Sequence, residues 1–315
     1  MVHFIEKGLA NAGFSADDDP VLTIEGGARE TVSFETSDAA YAEFEETGSS
    51  QGLQSVLNPI TGPVYVEGAQ PGDTLVVDVD RIDLGDYGWT AYYPASGALR
   101  RGMQDCHYVR KVPIIDGEVK LTDSLSVKAK PMVGCFGTAP ASGRNSSMSP
   151  VYSEGGNLDL THARAGSRLY LPVRVAGAYL GLGDIHAIMA EGEASDVAIE
   201  AAGVITATIS VDQHQSIDAP MIETEDELIF VGLGDSLQES LEHGYMRAFN
   251  HLTHQGGFSR QDAYTIMSAL VNSALGGPAG AAVPAPGADS AAGAITTHHV
   301  PQFLLKTDSK PTHQA

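Results

Sequence analysis

The chain has 315 residues, 43% of them hydrophobic, which suffices for one large domain or two smaller ones and excludes wholesale disorder. Its 40 Asp and Glu against 18 Lys and Arg give a formal net charge of −22, a field that repels nucleic acid phosphates and anionic lipid surfaces. No apolar run reaches the length of about 18 residues that a spanning helix needs.

The opening MVHFIEKGLANAGFSADDDP is acidic and broken by glycine, which does not suit a secretory signal, so a cytoplasmic location is expected. High acid content with few lysines also fits a protein that stays soluble in concentrated salt. The two cysteines, Cys106 and Cys135, make neither a disulfide framework nor a CxxC zinc site, and each reads as a small buried hydrophobe.

Along the chain, VLTIEGG and ETVSFET alternate apolar and polar residues as half-buried strands do. DAAYAEFEETGSSQGLQSV reads as a loop or a short helix. NPITGPVYVEGAQPGDTLVVDVDRIDLG predicts two strands joined at Gln70–Asp73, with Leu75, Val77 and Val79 on one buried face. GWTAYYPASGALR holds the only tryptophan, Trp89, beside Tyr92, and either walls a pocket or plugs a sheet edge. Asp116-Gly117 is a two-residue hairpin signal. The small residues of PMVGCFGTAPASGRNSSMSP allow close backbone approach to a ligand.

After the stretch from Glu154 to Gly203, GVITATISVDQ and MIETEDELIFVGLG read as strands. LQESLEHGYMRAFNHLTHQ and SRQDAYTIMSALVNSAL carry apolar residues at helical spacing and predict two helices. The expected organisation is a domain over residues 1–275, an Ala/Gly/Pro-rich linker over 276–295 and a tail over 296–315, with VPQFLL docked and His298-His299 a polar tail feature.

Between 154 and 203 the sequence gathers Asp159, His162, Asp184, His186, Glu191 and Glu193 among glycines and apolar strands. Residues two apart in a strand share a face, so Asp184 pairs with His186, and Asn157 with Asp159 if that segment is extended. A mixed oxygen and nitrogen set of this kind suits zinc, manganese or another divalent ion. Glu193, seven residues past His186, is placed to hold a water and move its proton. The same spacing also fits an ordinary hydrogen-bonded Asp–His pair with solvated turn glutamates.

Several pieces, in order, resemble the acetamidase/formamidase family: NPITGPVYVEGAQPGDTLVVDV, GWTAYYPASG, VGCFGTAP, GGNLDLTHARAGSRLYLPV, GDIHAIMAEGE followed by AIE, and SRQDAYTIMSAL. The resemblance implies a β-rich fold with a sandwich core, homo-oligomers of two or more subunits, and metal-assisted hydrolysis of the linear C–N bond of a small neutral amide. The expected fold is mainly β, a jelly-roll-like sandwich with a smaller α/β part and two C-terminal helices. Under this reading Asp159, Asp184 and His186 are metal ligands with Glu154 as an extra one, the metal being a divalent ion such as zinc. Glu193 is the general base, Asn157 orients substrate or oxyanion, and Trp89 and Tyr92 close over the acyl group. His162 and Glu191 fall to structural or surface roles. Two departures stand out: Glu154 replaces a histidine before the glycine pair, and Met189 replaces an amide side chain. They leave open a non-catalytic member of the same fold, or a hydrolase of a cyclic amide or ester.

Overall fold

The computed structural model describes residues 2–93, 97–103, 107–148, 152–277 and 293–305. Two large sheets dominate. The first has nine strands in the order Val2–Ile5, Glu30–Glu35, Gly203–Asp212, Thr74–Leu84, Arg168–Pro172, Met221–Glu223, Glu227–Gly234, Ala294–Pro301 and Asn272–Gly276. The second runs through Leu125–Lys128, Glu118–Thr122, Val109–Ile115, Tyr87–Ala91, Ile199–Ala201, Leu180–Ile188, Met132–Gly137 and Gly155–Asn157. Ile60–Glu67 also pairs with Leu180–Ile188 and carries two short strands of its own. Pairing is antiparallel apart from Val2–Ile5 on Glu30–Glu35 and Leu22–Glu25 on Ile60–Glu67.

Strand alternation explains why the sheets stack. Val77 and Val79, Ile205, Ala207 and Ile209, and Ile229 and Val231 project from the first sheet into one cluster. Val64, Val66, Val133, Leu180, Leu182 and Ile185 meet them from the second. Each such side chain, fully buried, contributes about 1.5–3 kcal/mol of transfer free energy. Face-to-face packing of two antiparallel sheets is a sandwich, as the mainly β expectation requires. The hairpin at Asp116-Gly117 forms as predicted, with both residues at positive φ.

Three α-helices complete the described chain: α1 (Ala39–Thr47), α2 (Leu237–His254) and α3 (Arg260–Leu270). Ser236 caps α2 by accepting from the Glu239 amide, and Ser259 caps α3 through the Asp262 amide. Ala248, Leu252 and Ala263 lie against Leu228, Phe230 and Val300, so α2 and α3 cover the outer face of the nine-stranded sheet. No described helix is long and apolar enough to cross a membrane.

Two C-terminal expectations need correction. The segment VNSAL is not helical: α3 ends at Leu270 and Asn272–Gly276 is an edge strand, held by its ladder to Ala294–Pro301 and not by local propensity. His298 and His299 are buried within Ala294–Pro301, a strand hydrogen-bonded on both sides. The docked VPQFLL piece begins at the end of that strand and continues as a 3-10 turn, Gln302–Leu304. Of the expected linker, residues 278–292 lie outside the described residues, as do Cys106 and residues 306–315 of the tail. Cys135 is free and buried, and burial pushes its thiol well above its ordinary range.

Candidate active site

The site depends on a change of parity in one strand. Leu180, Leu182 and Ile185 all face the core between the sheets, so alternation along Leu180–Ile188 reverses between 182 and 185. The residue responsible is Asp184, whose φ of 58 lies in the left-handed region. In an unbroken strand Asp184 and His186 would follow Leu180 and Leu182 into hydrocarbon. The reversal turns both to the other face of the sheet. Asp159 (φ 45) and Glu193 (φ 36) adopt the same uncommon backbone. Strain of order 1–3 kcal/mol at each persists only where surrounding structure enforces it, and such positions concentrate at functional sites.

His186 is the hub. Its Nε2 lies 3.2 Å from Glu200 Oε2, 3.5 Å from Asp184 Oδ1 and 3.6 Å from Asp159 Oδ1. Asp159, Asp184 and His186 offer ligand atoms within 4.8 Å of one another, and so do His186, Glu193 and Glu200. All five residues are buried. The other ring nitrogen, Nδ1, is 3.3 Å from Met189 Sδ. Gly134 forms the wall beneath the acids: a Cβ there would stand 2.5 Å from Asp159 Oδ1 and 2.6 Å from Asp184 Oδ2. The Gly134 carbonyl accepts from the amides of Leu158 and Asp159, which fixes the turn that presents Asp159.

Four buried carboxyls around one imidazole cannot all ionise without help. Burial, aided by the negative charge of Asp184, raises Asp159 well above the carboxylate range. Burial and Asp159 do the same to Glu193. Glu200 is raised to about 6, again by burial first. Burial opposes ionisation of Asp184 as well, but His186 and hydrogen bonds from His186 and Glu200 outweigh it and lower its pKa. For His186 burial opposes the charge, yet Glu200 and Asp184 prevail and hold it protonated well above its ordinary range.

The donor set fits a divalent cation. Asp159 Oδ1 and Asp184 Oδ2 are buried and accept no hydrogen bond, and they face each other across the space that the absent Gly134 side chain leaves. Acceptors left bare in that geometry are what a cation supplies charge to. The chemistry of the set, one imidazole and several carboxylates, accommodates zinc or a harder ion.

Two participants escaped the sequence reading. Glu200 lies directly opposite His186 across the Ile199–Ala201 ladder, a register that no local pattern shows. Tyr41, from α1, lines a narrow cavity with Asn58, Asp184 and Glu200. Burial and Glu200 raise its phenol, so it remains a neutral donor.

The other candidates lie elsewhere. Glu154 does not join the group: it sits at the far end of Gly155–Asn157 from Asp159, pairs with Arg174 at 3.3 Å and accepts from Asn145 and Ser153. Trp89 is a buried plug in one cluster with Tyr41, Phe44 and Tyr93, and its indole N–H donates to Asp38 at 2.8 Å. The Tyr92 hydroxyl donates to the Arg100 carbonyl. Asn157 is buried, and its Oδ1 accepts from Asn58 Nδ2 at 3.3 Å, which turns its own amide N–H outward from that contact. The strand ends at Asn157, so extended alternation does not pair it with Asp159. Glu191 is exposed, 3.9 Å from His162.

Residues 144–290 match the model of the Acetamidase/Formamidase family. Among curated proteins the chain is 24% identical over 255 residues to a putative formamidase of Schizosaccharomyces pombe, covering 61% of this chain and 62% of that one. It is 26% identical over 209 residues to a formamidase of Methylophilus methylotrophus, covering 46% and 49%. The chain thus spans about half to three fifths of the length of these curated relatives. The structure of a predicted acetamidase/formamidase from Thermoanaerobacter tengcongensis superposes with a TM-score of 0.85 at 27% identity, over 97% of both chains. The family model falls on the segment that carries Asp159, Asp184, His186, Glu193 and Glu200, and the fold is shared nearly end to end, so over that segment the chain is similar to the acetamidase/formamidase family.

Proposed function

We propose that the protein is an amidohydrolase that converts a small neutral carboxamide and water into a carboxylate and ammonia, with a divalent metal at the Asp159–Asp184–His186 cluster. The observation that carries this reading is the pair of bare, buried carboxylate oxygens facing each other over Gly134, beside a hub histidine and two further buried acids. Similarity to the acetamidase/formamidase family makes amide hydrolysis the chemistry to test first.

Asp159, Asp184 and His186 would hold the ion, with Glu200 supporting His186 from the facing strand. When bound, the metal polarises the amide carbonyl and lowers the pKa of water. Glu193 has the buried, raised carboxyl that proton transfer near neutral pH calls for. In this reading it accepts a proton from the attacking water and returns it to the departing nitrogen, which leaves as ammonia. Hydrogen-bond donors suited to the developing oxyanion are the Asn157 and Asn58 amides and the Tyr41 hydroxyl. Strained backbone at three of the acids argues against a member that has lost its site.

The test is ammonia release from formamide, acetamide and larger amides, with and without chelator and re-added Zn(II) or Mn(II). Activity lost on chelation, restored by metal and absent in Asp184→Asn supports the assignment. Full activity in chelated protein and in that variant overturns the metal-assisted mechanism.

A further inference from the structure

A second cluster lies outside the candidate active site. His299 projects from Ala294–Pro301 directly opposite Ile229, and Glu227 is two residues along the neighbouring strand on the same face. His299 Nδ1 is 2.8 Å from Glu227 Oε2. His162, on the loop that leaves Asp159, meets the His299 ring edge-to-face with centroids 4.8 Å apart. Ligand atoms of His162, Glu227 and His299 all lie within 4.8 Å of one another. Glu191 approaches from the solvent side, 3.9 Å from His162 Nε2.

The wiring of the two imidazoles is more informative than their proximity. His299 Nε2 is 2.9 Å from Thr297 Oγ1, and His162 Nδ1 is 3.3 Å from Thr161 Oγ1. Each ring therefore has one nitrogen engaged by a threonine hydroxyl. The nitrogens that remain, His299 Nδ1 and His162 Nε2, are the ones turned toward carboxylates. A hydrogen-bond partner on the rear nitrogen is what orients the ring of a metal-binding histidine.

We propose that His162, His299 and Glu227 form a second metal site, with Glu191 or water completing the coordination, selective for a borderline transition ion such as Zn(II) over Mg(II) or Ca(II). Two imidazoles and a carboxylate set that preference. Tetrahedral coordination with bonds of about 2.0–2.1 Å asks for ligand atoms roughly 3.4 Å apart. The Glu227–His299 pair, at 2.8 Å, has to open by about 0.6 Å as its hydrogen bond gives way to the ion, and rotation of the part-exposed His162 would close the third edge. The site shares two chain segments with the candidate active site. Asp159 and His162 sit on one, Glu193 and Glu191 on the other, and each segment sends one residue to each cluster. Occupancy of the second cluster would thereby hold both segments in place.

The inference is independent of the amidase reading, and its test does not use activity. Full-length protein, stripped by chelator, is titrated with Zn(II) and with Co(II), following bound metal per chain and the visible Co(II) absorption. The wild type is expected to bind one more Zn(II) per chain than His162→Gln. In an Asp184→Asn background, which disables the other site, His162→Gln should weaken the remaining Zn(II) binding by about 100-fold or more, and Thr297→Val by about tenfold. Millimolar Mg(II) should not compete. Equal stoichiometry and affinity in wild type and His162→Gln overturns the site. Should these variants fail to fold, imidazole NMR signals of the wild type decide: paramagnetic shifts of both His162 and His299 on adding Co(II) support the site, and unmoved signals refute it.

Discussion

Gly134→Ala isolates the geometry on which the candidate active site depends. The added methyl carbon would stand 2.5 Å from Asp159 Oδ1, 2.6 Å from Asp184 Oδ2 and 2.9 Å from the Asp184 carbonyl. Carbon and oxygen in contact keep about 3.3 Å or more, so each carboxylate must retreat by roughly 0.7–0.8 Å. The carbonyl belongs to a strand in the middle of a sheet and has little freedom to move. Overpacking of this kind costs about 1–3 kcal/mol of stability. Metal ligands, in contrast, tolerate displacements of only about 0.2 Å. Metal binding should therefore suffer far more than folding. We expect a chelator-stripped variant that unfolds cooperatively in urea at a modestly lower midpoint, binds Zn(II) at least 100-fold more weakly in equilibrium titration, and releases no ammonia. A variant that binds Zn(II) as tightly as the wild type would refute the assignment of this gap to a cation, whatever its stability.

Raised carboxyls predict a pH dependence with a definite sign. Glu200 goes from an ordinary 4.5 to about 6 on folding, so its contribution is fully present below about pH 4.5 and is lost as pH rises through 6, by about 2 kcal/mol. Asp159 and Glu193 act in the same direction. Metal-free protein should thus lose urea stability between pH 4.5 and 7 even in about 1 M salt, where surface charge is screened beyond about 3 Å, and a rising profile would contradict this. Arg247 is buried, donates to Asp218 and to the carbonyls of Ala219, Pro220 and Val231, and anchors α2 on the sheet. Arg247→Met should cost about 3–5 kcal/mol in urea denaturation because those acceptors lose their partner. Finally, a net charge of −22 predicts a thermal midpoint that climbs with added KCl, and indifference to salt would remove the expectation of a salt-adapted protein.

Much of the fold was legible because alternation and helical spacing are local. Leu75, Val77 and Val79 face inward as their pattern says, and Ser236 and Ser259 cap helices where a serine precedes an amphipathic run. The Asp184–His186 pairing was legible too, although alternation predicts only that the two share a face. Which face they take depends on the reversal at Asp184, and a left-handed aspartate has no sequence signature stronger than its neighbouring glycine. Glu200 reads as any polar residue between Ile199 and Ala201, and only its register opposite His186 gives it a role. Tyr41 lay in an acidic stretch whose helix is short, and its approach to the acids is a tertiary fact. Glu154 was drawn in by its place beside the GGN motif, whereas Arg174, twenty residues on, claims its charge. His298 and His299 looked like tail because the Ala/Gly/Pro-rich run precedes them, yet Thr296 and Thr297 beside them are the β-formers that mark a strand.

The position of Ala294–Pro301 also bears on the order in which the molecule can be assembled. This strand pairs with Glu227–Gly234 on one side and Asn272–Gly276 on the other, and those two do not pair with each other. During synthesis, Glu227–Gly234 has left the ribosome some 60 residues before its partner is made. At about 5–20 residues per second that interval is roughly 3–12 s. Throughout it an apolar edge, Leu228 to Val231, has unpaired backbone groups on one side, the condition under which nascent chains associate wrongly. Emerging first, α2 can pack on Phe230 and shield one face while the edge waits. The last strand then closes the sheet and delivers His299 in the same step.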